Sequence, residues 1–245
     1  MSTFEIQRGL MPGRAGYDAV IADAPTGLYV RSIKPLIDRG VALVLLAAFA
    51  PVILFALALV RATSRGKPIY SQVRLGLGGR RFRIYKIRSM YEDSERDGRA
   101  RWCVPGDPRV TPIGWLLRRT HIDELPQLWN VLIGDLSLIG PRPERPEIAE
   151  ALEVEIPNFS DRLAVKPGIT GLAQVQHPPD QTIECTRRKV ALDLAYIDGI
   201  SLAMDLRIAA GTILHLLGIS GMWIARWCFL PVAVEERAPV LAESV

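Results

Sequence analysis

Cysteine is scarce in this 245-residue chain: Cys103, Cys185 and Cys228 are the only three. An odd number excludes a fully paired disulfide scaffold, and the lack of any C-x-x-C excludes a zinc ribbon. Phosphate-binding glycine motifs are missing as well. The Gly76-Leu77-Gly78-Gly79 turn is followed by Arg80 and Arg81, with no Gly-Lys-Ser/Thr behind it, so it is neither a P-loop nor G-x-G-x-x-G. There is no internal repeat and no low-complexity tract. Acidic residues are absent from 61–90, which carries nine Lys or Arg. Charges, amides and hydroxyls are all absent from Val41 to Val60. At 49% hydrophobic and 23% charged, the composition excludes a disordered chain, a collagen and a coiled coil, and the length suggests one or two domains.

The last absence is the most informative. Val41–Val60 reads VALVLLAAFAPVILFALALV and, as a helix, measures about 30 Å, the thickness of a bilayer core. A soluble helix of this length would show a polar stripe. A cleaved signal peptide fits poorly, because some forty residues precede the run. Pro51 stands mid-run, where a helix kinks. Both flanks are basic: Arg31, Lys34 and Arg39 before, Arg61, Arg65 and Lys67 after. The positive-inside rule expects the excess on one side only. Symmetric flanks and a central proline favour a re-entrant helix over 34–61 that enters, bends and returns to the cytoplasmic face, with a plain span carrying a tolerated kink as the alternative. Residues 1–33 read as an N-terminal tail.

The basic block at 61–90 suits anionic headgroups or phosphate. Aromatic residues interleave it too thinly for nucleic acid. Within it, Ile69–Leu75 and Phe82–Ile87 read as a short β-hairpin. Helices are expected over Ile113–Thr120, Asp123–Ile133, Glu147–Val154 and Thr182–Ile197, and a strand over Leu172–Val175. Ile208–Ala225 lacks Lys, Arg, Asp and Glu but carries several polar residues and glycines, which favours an interfacial or packed helix over a second span. The expected fold is α+β and mainly helical. It combines the re-entrant helix with a compact cytoplasmic catalytic domain over 62–217 and an interfacial segment and tail over 218–245.

Candidate chemistry concentrates between Asp107 and Pro143. Asp123 and Glu124 open an expected helix, Arg118 and Arg119 stand just before them and Arg142 follows. Adjacent helical residues point about 100° apart, so the two carboxylates cannot do the same job. A carboxylate can attack a phosphoryl centre if cations neutralise the phosphate it approaches. Arginine suits that task because its planar fork binds phosphate oxygens in pairs. Mg²⁺ would add a further positive centre. The alternative is purely structural: Thr120-x-x-Asp123 matches a capping box, and Asp123 could itself be an N-cap.

These residues belong to an ordered series of motifs. It runs through Lys34 and Asp38, Pro51, Gly66-Lys67-Pro68, Gln72 and Arg74, Lys86 with Arg88-Ser89-Met90, and Asp107-Pro108-Arg109. It continues with Asp123-Glu124-Leu125-Pro126-Gln127, Asn130-Val131, Gly134-Asp135, Ser137 and Gly140-Pro141-Arg142-Pro143. Lys166-Pro167-Gly168-Ile169-Thr170-Gly171 follows, then Tyr196, Ser201 and Asp205. The series resembles the bacterial sugar transferases, monotopic phosphoglycosyl transferases that start exopolysaccharide, O-antigen and glycan assembly. The resemblance implies an enzyme that moves a sugar-1-phosphate from a UDP-sugar to undecaprenyl phosphate and releases UMP. It implies Asp123 as nucleophile and Glu124 as the residue that helps hold Mg²⁺. Arg118, Arg142, Lys86, Arg88, Gln127 and Asp135 become substrate-binding residues. It further implies a re-entrant anchor over 34–61 broken at Pro51 and contact with membrane lipid at the cytoplasmic face of the bacterial inner membrane, and allows a homodimer. One departure stands at Gln176-His177-Pro178-Pro179, so the sugar is not carried over. A rival reading is a non-catalytic, membrane-anchored scaffold of a polysaccharide assembly complex.

Overall fold

A computed structural model describes residues 24–92, 94, 106–177 and 182–232. Most of the expected tail, Cys103, Pro178-Pro179 and the residues after 232 lie outside it. Helical structure begins at a π-helical turn, Tyr29–Ile33, and continues into α1, Lys34–Thr63. Pro35 sits in the first turn of α1, where its missing N–H costs nothing. Contrary to the expected break, α1 runs on through Pro51. Proline removes one donor from the ladder, and an apolar helix carrying many other bonds tolerates that loss. With 30 residues α1 is about 45 Å long, and it is the one described helix long and apolar enough to cross a membrane.

The hairpin forms as expected. Strand β1, Ile69–Leu75, pairs antiparallel with β2, Arg81–Ile87, in the register Ile69 to Ile87 and Leu75 to Arg81. Helix α2, Pro112–Arg119, is N-capped by Thr111, whose Oγ1 accepts from the Gly114 N–H at 2.9 Å. Gly114 has no alternative, because a Cβ there would lie 1.9 Å from the Ser89 carbonyl oxygen. The single helix expected over Asp123–Ile133 is divided. A 3₁₀ turn, Ile122–Glu124, precedes α3, Gln127–Ile133, with Pro126 at its N-cap. Proline's missing N–H prevents one continuous ladder across this point.

Strand β3, Ser137–Ile139, pairs in parallel with β4, Gly168–Thr170. Between them lie α4, Pro146–Glu155, and a 3₁₀ segment, Phe159–Ala164. The strand expected at Leu172–Val175 is instead helix α5, Leu172–Gln176. Leu172, Ala173 and Val175 all face the core, a pattern a short helix satisfies and an alternating strand does not. Helices α6, Ile183–Asp198, α7, Leu202–Leu216, and α8, Gly221–Trp227, complete the fold. Thr182 and Ser201 cap the first two through their hydroxyls. The apolar stretch expected as one helix over Ile208–Ala225 is therefore parts of two.

The largest core joins α5, α6, α7 and α8 through Leu172, Leu192, Tyr196, Ile208 and Ile224. Helix α1 is fastened to the rest of the fold at both ends. Near its start, Lys34 donates to Asp205 at 2.7 Å, Ser137 donates to Asp38 at 2.6 Å, and Ala42 packs with Phe82, Leu128 and Val131. Near its end, Ala56 and Val60 pack with Ile87 and Leu117, and Arg88 donates to the carbonyl and hydroxyl of Ser64. Leu43, Val44, Leu54 and Phe55, on other faces of the helix, are exposed.

Candidate active site

Asp123 and Glu124 sit in the 3₁₀ turn between α2 and α3. His121 enters that turn in a left-handed conformation, φ 55°, which redirects the chain away from α2. The capping reading fails here. Thr120 ends α2, donating back to the Leu116 carbonyl at 2.8 Å, and Asp123 caps nothing.

The two carboxylates have opposite surroundings. Glu124 Oε1 accepts from Lys86 Nζ and from Arg142 Nη2, each at 2.7 Å. Burial alone would push its carboxyl up, but Arg142 and Lys86 outweigh burial and hold it well below the usual range. Asp123 is 6% exposed, yet its carboxylate has no hydrogen bond or ion pair among the described residues. Burial and the neighbouring Glu124 charge raise its pKa, against Lys86, Arg118 and His121. One acid is thus a fixed anion, while the other is buried with its lone pairs unspent.

The clamp is itself positioned. Lys86 comes from β2, and Asn130 of α3 is bonded to that strand twice: its Oδ1 accepts from Tyr85 N and its Nδ2 donates to the Arg83 carbonyl. Arg142 lies on the loop after β3. The loop is held by Arg74, which donates to the Pro143 carbonyl at 3.0 Å and to Glu144 at 3.2 Å, and by Arg162, which donates to the Arg142 carbonyl at 2.8 Å. Arg162 is in turn paired with Asp193 at 2.6 Å, both almost fully buried. Asn130 and Arg162 carry no catalytic signature of their own, and sequence reasoning gave neither this supporting role.

The remaining expected site residues divide. Arg118 acts on Asp123 electrostatically and donates to Ser89 Oγ at 2.8 Å. Gln127 is buried beside Lys86, Arg142 and Arg74 around a small cleft, and its amide nitrogen has no hydrogen-bond partner among the described residues. Arg88 is not brought to the carboxylates: its guanidinium turns to Ser64 at the end of α1. Asp135 belongs to the opposite end of α3, where it acts on Lys166.

Residues 29–218 match the family model described as Bacterial sugar transferase. The chain belongs to the bacterial sugar transferase family. It is 40% identical over 211 residues to a UDP-N-acetylgalactosamine-undecaprenyl-phosphate N-acetylgalactosaminephosphotransferase of Aeromonas hydrophila, covering 84% of this chain and 50% of that protein. It is 42% identical over 188 residues to a UDP-glucose:undecaprenyl-phosphate glucose-1-phosphate transferase of Caulobacter vibrioides, covering 75% and 69%. The Exopolysaccharide production protein PSS of Rhizobium leguminosarum is 37% identical over 187 residues, covering 74% and 93%. This bacterial sugar transferase thus spans half the length of the Aeromonas protein and nearly all that of the Rhizobium one.

A divalent metal is implied by the family resemblance. Among the described residues no cluster of three or more His, Cys, Asp or Glu converges, so a closed protein cage is absent. The donor set nevertheless fits Mg²⁺, which uses one or two carboxylates and completes its shell with water and substrate phosphate. The second oxygen of Glu124, whose Oε1 is taken by Lys86 and Arg142, is the group that would hold it.

Proposed function

We propose that this sugar transferase is a phosphoglycosyl transferase that moves a sugar-1-phosphate from a UDP-sugar to undecaprenyl phosphate. The observation that carries the reading is the contrast between the unpartnered, buried Asp123 and the clamped Glu124. An Asp123 oxygen attacks the β-phosphorus of the donor. The bond from that phosphorus to the bridging oxygen breaks, and UMP leaves with the electron pair. An oxygen of undecaprenyl phosphate then attacks the same phosphorus, and the Asp123 carboxylate departs as the second leaving group. Lys86, Arg118 and Arg142 balance charge on the phosphates, and the free amide of Gln127 supplies a donor in the adjoining cleft. Mg²⁺, when bound, neutralises diphosphate charge.

The length and apolarity of α1 support a membrane arrangement. A helix crossing the bilayer beside this domain would carry Lys34, Asp38, Arg88 and the catalytic turn toward hydrocarbon, at a high desolvation cost. A helix that is bent at Pro51 without losing its ladder, and so dips in over 34–61 and returns, keeps both polar ends, and the domain they hold, on the cytoplasmic face of the inner membrane. Exposed Trp115 and Trp129 on α2 and α3, and Leu206, Ile213, Trp223 and Trp227 on α7 and α8, suit the same interface. The catalytic domain is then 62–217, with 218–245 as interfacial segment and tail. The sugar and the glycan pathway are left to experiment, since the named relatives transfer different sugars. The test is a UDP-sugar panel with undecaprenyl phosphate and Mg²⁺. One donor should give UMP and a lipid-linked sugar diphosphate, and no turnover with any donor would reject the proposal.

A further inference from the structure

At the end of α3 far from Asp123, two cations converge without a partner among the described residues. Gly134 closes α3 in a left-handed conformation, φ 92°, and has no side chain. The point where its Cβ would sit is 2.9 Å from Arg39 Nη2 and 3.6 Å from Lys166 Nζ. Neither side chain has a hydrogen bond or ion pair among the described residues. Two carboxylates lie nearby but do not neutralise them. Asp38 is taken by Ser137 and by Lys34, the latter at 3.7 Å. Asp135 acts on Lys166 only from beyond ion-pair distance. Burial first and then the Arg39 charge press the Lys166 ammonium below its ordinary range, and Asp38 and Asp135 offset this only in part. Capping of the α3 carbonyls would account for one cation, but no such bond is made.

The location narrows what an anion here would be. Arg39 lies two residues before the apolar run that starts at Val41, at the foot of α1. On the same helix Leu36 and Val41 are exposed apolar neighbours. A guanidinium at this point sits at headgroup depth. The catalytic carboxylates stand before the first turn of α3, about 10 Å away along the helix axis.

We propose that Arg39 and Lys166 form a phosphate site for an anionic phospholipid headgroup, separate from the carboxylate pair. The inference rests on the reading of α1 as membrane-embedded. Arg39 supplies two parallel donors, Lys166 a point charge, and the bare Gly134 leaves room between them.

The full chain in neutral-detergent micelles is titrated calorimetrically with a soluble short-chain phosphatidylglycerol, with inorganic phosphate in a parallel arm. Saturable lipid binding is expected, weakened about tenfold by Arg39→Gln and by Lys166→Gln, each of which removes one charge-assisted contact. Lys166→Arg should retain binding, which separates loss of the site from loss of the fold. Arg31→Gln, on the turn before α1, should leave binding unchanged. Wild-type affinity in both Gln variants would overturn the site. Inorganic phosphate binding as tightly as the lipid would overturn a headgroup as its ligand. A raised KM for undecaprenyl phosphate with unaltered phosphatidylglycerol binding would overturn it in favour of an acceptor site. UMP release from the donor is measured on the same samples. Its failure in the wild type would sink the proposed activity and leave the lipid titration standing.

Discussion

Asp205 offers the sharpest energetic test of how α1 is held. Its carboxylate accepts from Tyr29 at 2.5 Å, Lys34 at 2.7 Å and Tyr196 at 2.8 Å, joining the start of α1 to α6 and α7. The side chains of Lys34 and Asp205 are each 8% exposed. Removing one partner of such a buried pair costs about 3–5 kcal/mol, because the other charge stays buried and uncompensated. Asp38, 3.7 Å from Lys34, takes over part of the role, and Asn retains an acceptor for one tyrosine. The expected cost of Asp205→Asn is therefore near the low end, about 3 kcal/mol. For a chain of this size that lowers the melting temperature by roughly 6–12 °C. Adding Lys34→Met should recover much of the loss, since replacing both charges removes the orphan. The assay is thermal unfolding in detergent, with exposed Asp198→Asn as a control expected to change Tm by less than about 2 °C. An Asp205→Asn protein that melts with the wild type, or a double variant no better than the single, would refute this view of the network.

Three further outcomes follow from the proposed role of the Asp123–Glu124 turn. Asp123→Asn should abolish turnover and also raise the melting temperature near pH 7. A carboxyl with a raised folded pKa stabilises the fold while protonated and loses that contribution as pH rises through the folded value, so neutralisation restores it. The gain should shrink below about pH 3.8, where the wild-type group is protonated in both states. Glu124→Gln should slow turnover and weaken its Mg²⁺ dependence, and should move the acidic limb of any residual rate to lower pH by removing the charge that raises Asp123. An unmoved limb counts against that coupling. Arg162→Leu should cut kcat/KM about tenfold while stability falls, because the Arg142 carbonyl loses its donor. Unchanged kinetics would show that the loop holds its own shape.

Local features were legible in the sequence, and long-range ones were not. The hairpin was visible in β-branched runs around a glycine turn, and its first strand has the expected ends. The turn at Asp123 and Glu124 stood out through its adjacent acids flanked by arginines, and the roles proposed for them came from the family resemblance. Pro126, in plain view, divides the helix expected there. The pairing of β3 with β4 was invisible because each strand has three residues and the partners are distant in sequence. That is why Leu172–Val175 could be taken for the strand that Gly168–Thr170 provides. Arg88 was placed near Lys86 by the family resemblance, which carries no side-chain conformation, and its guanidinium bonds Ser64 at the end of α1. No periodicity could reveal that Lys34 meets Asp205 across 171 positions.

The central claim is that Asp123 carries the phosphosugar. Its direct test is intact-protein and peptide mass spectrometry after incubation with the UDP-sugar that supports turnover, Mg²⁺ and no lipid acceptor. About one UMP should be released per chain, with a sugar-phosphate adduct on the Asp123 peptide that disappears on addition of undecaprenyl phosphate and is absent from Asp123→Asn. UMP that appears only when the acceptor is present, with no adduct at any time, would contradict a covalent route and return Asp123 to a supporting role.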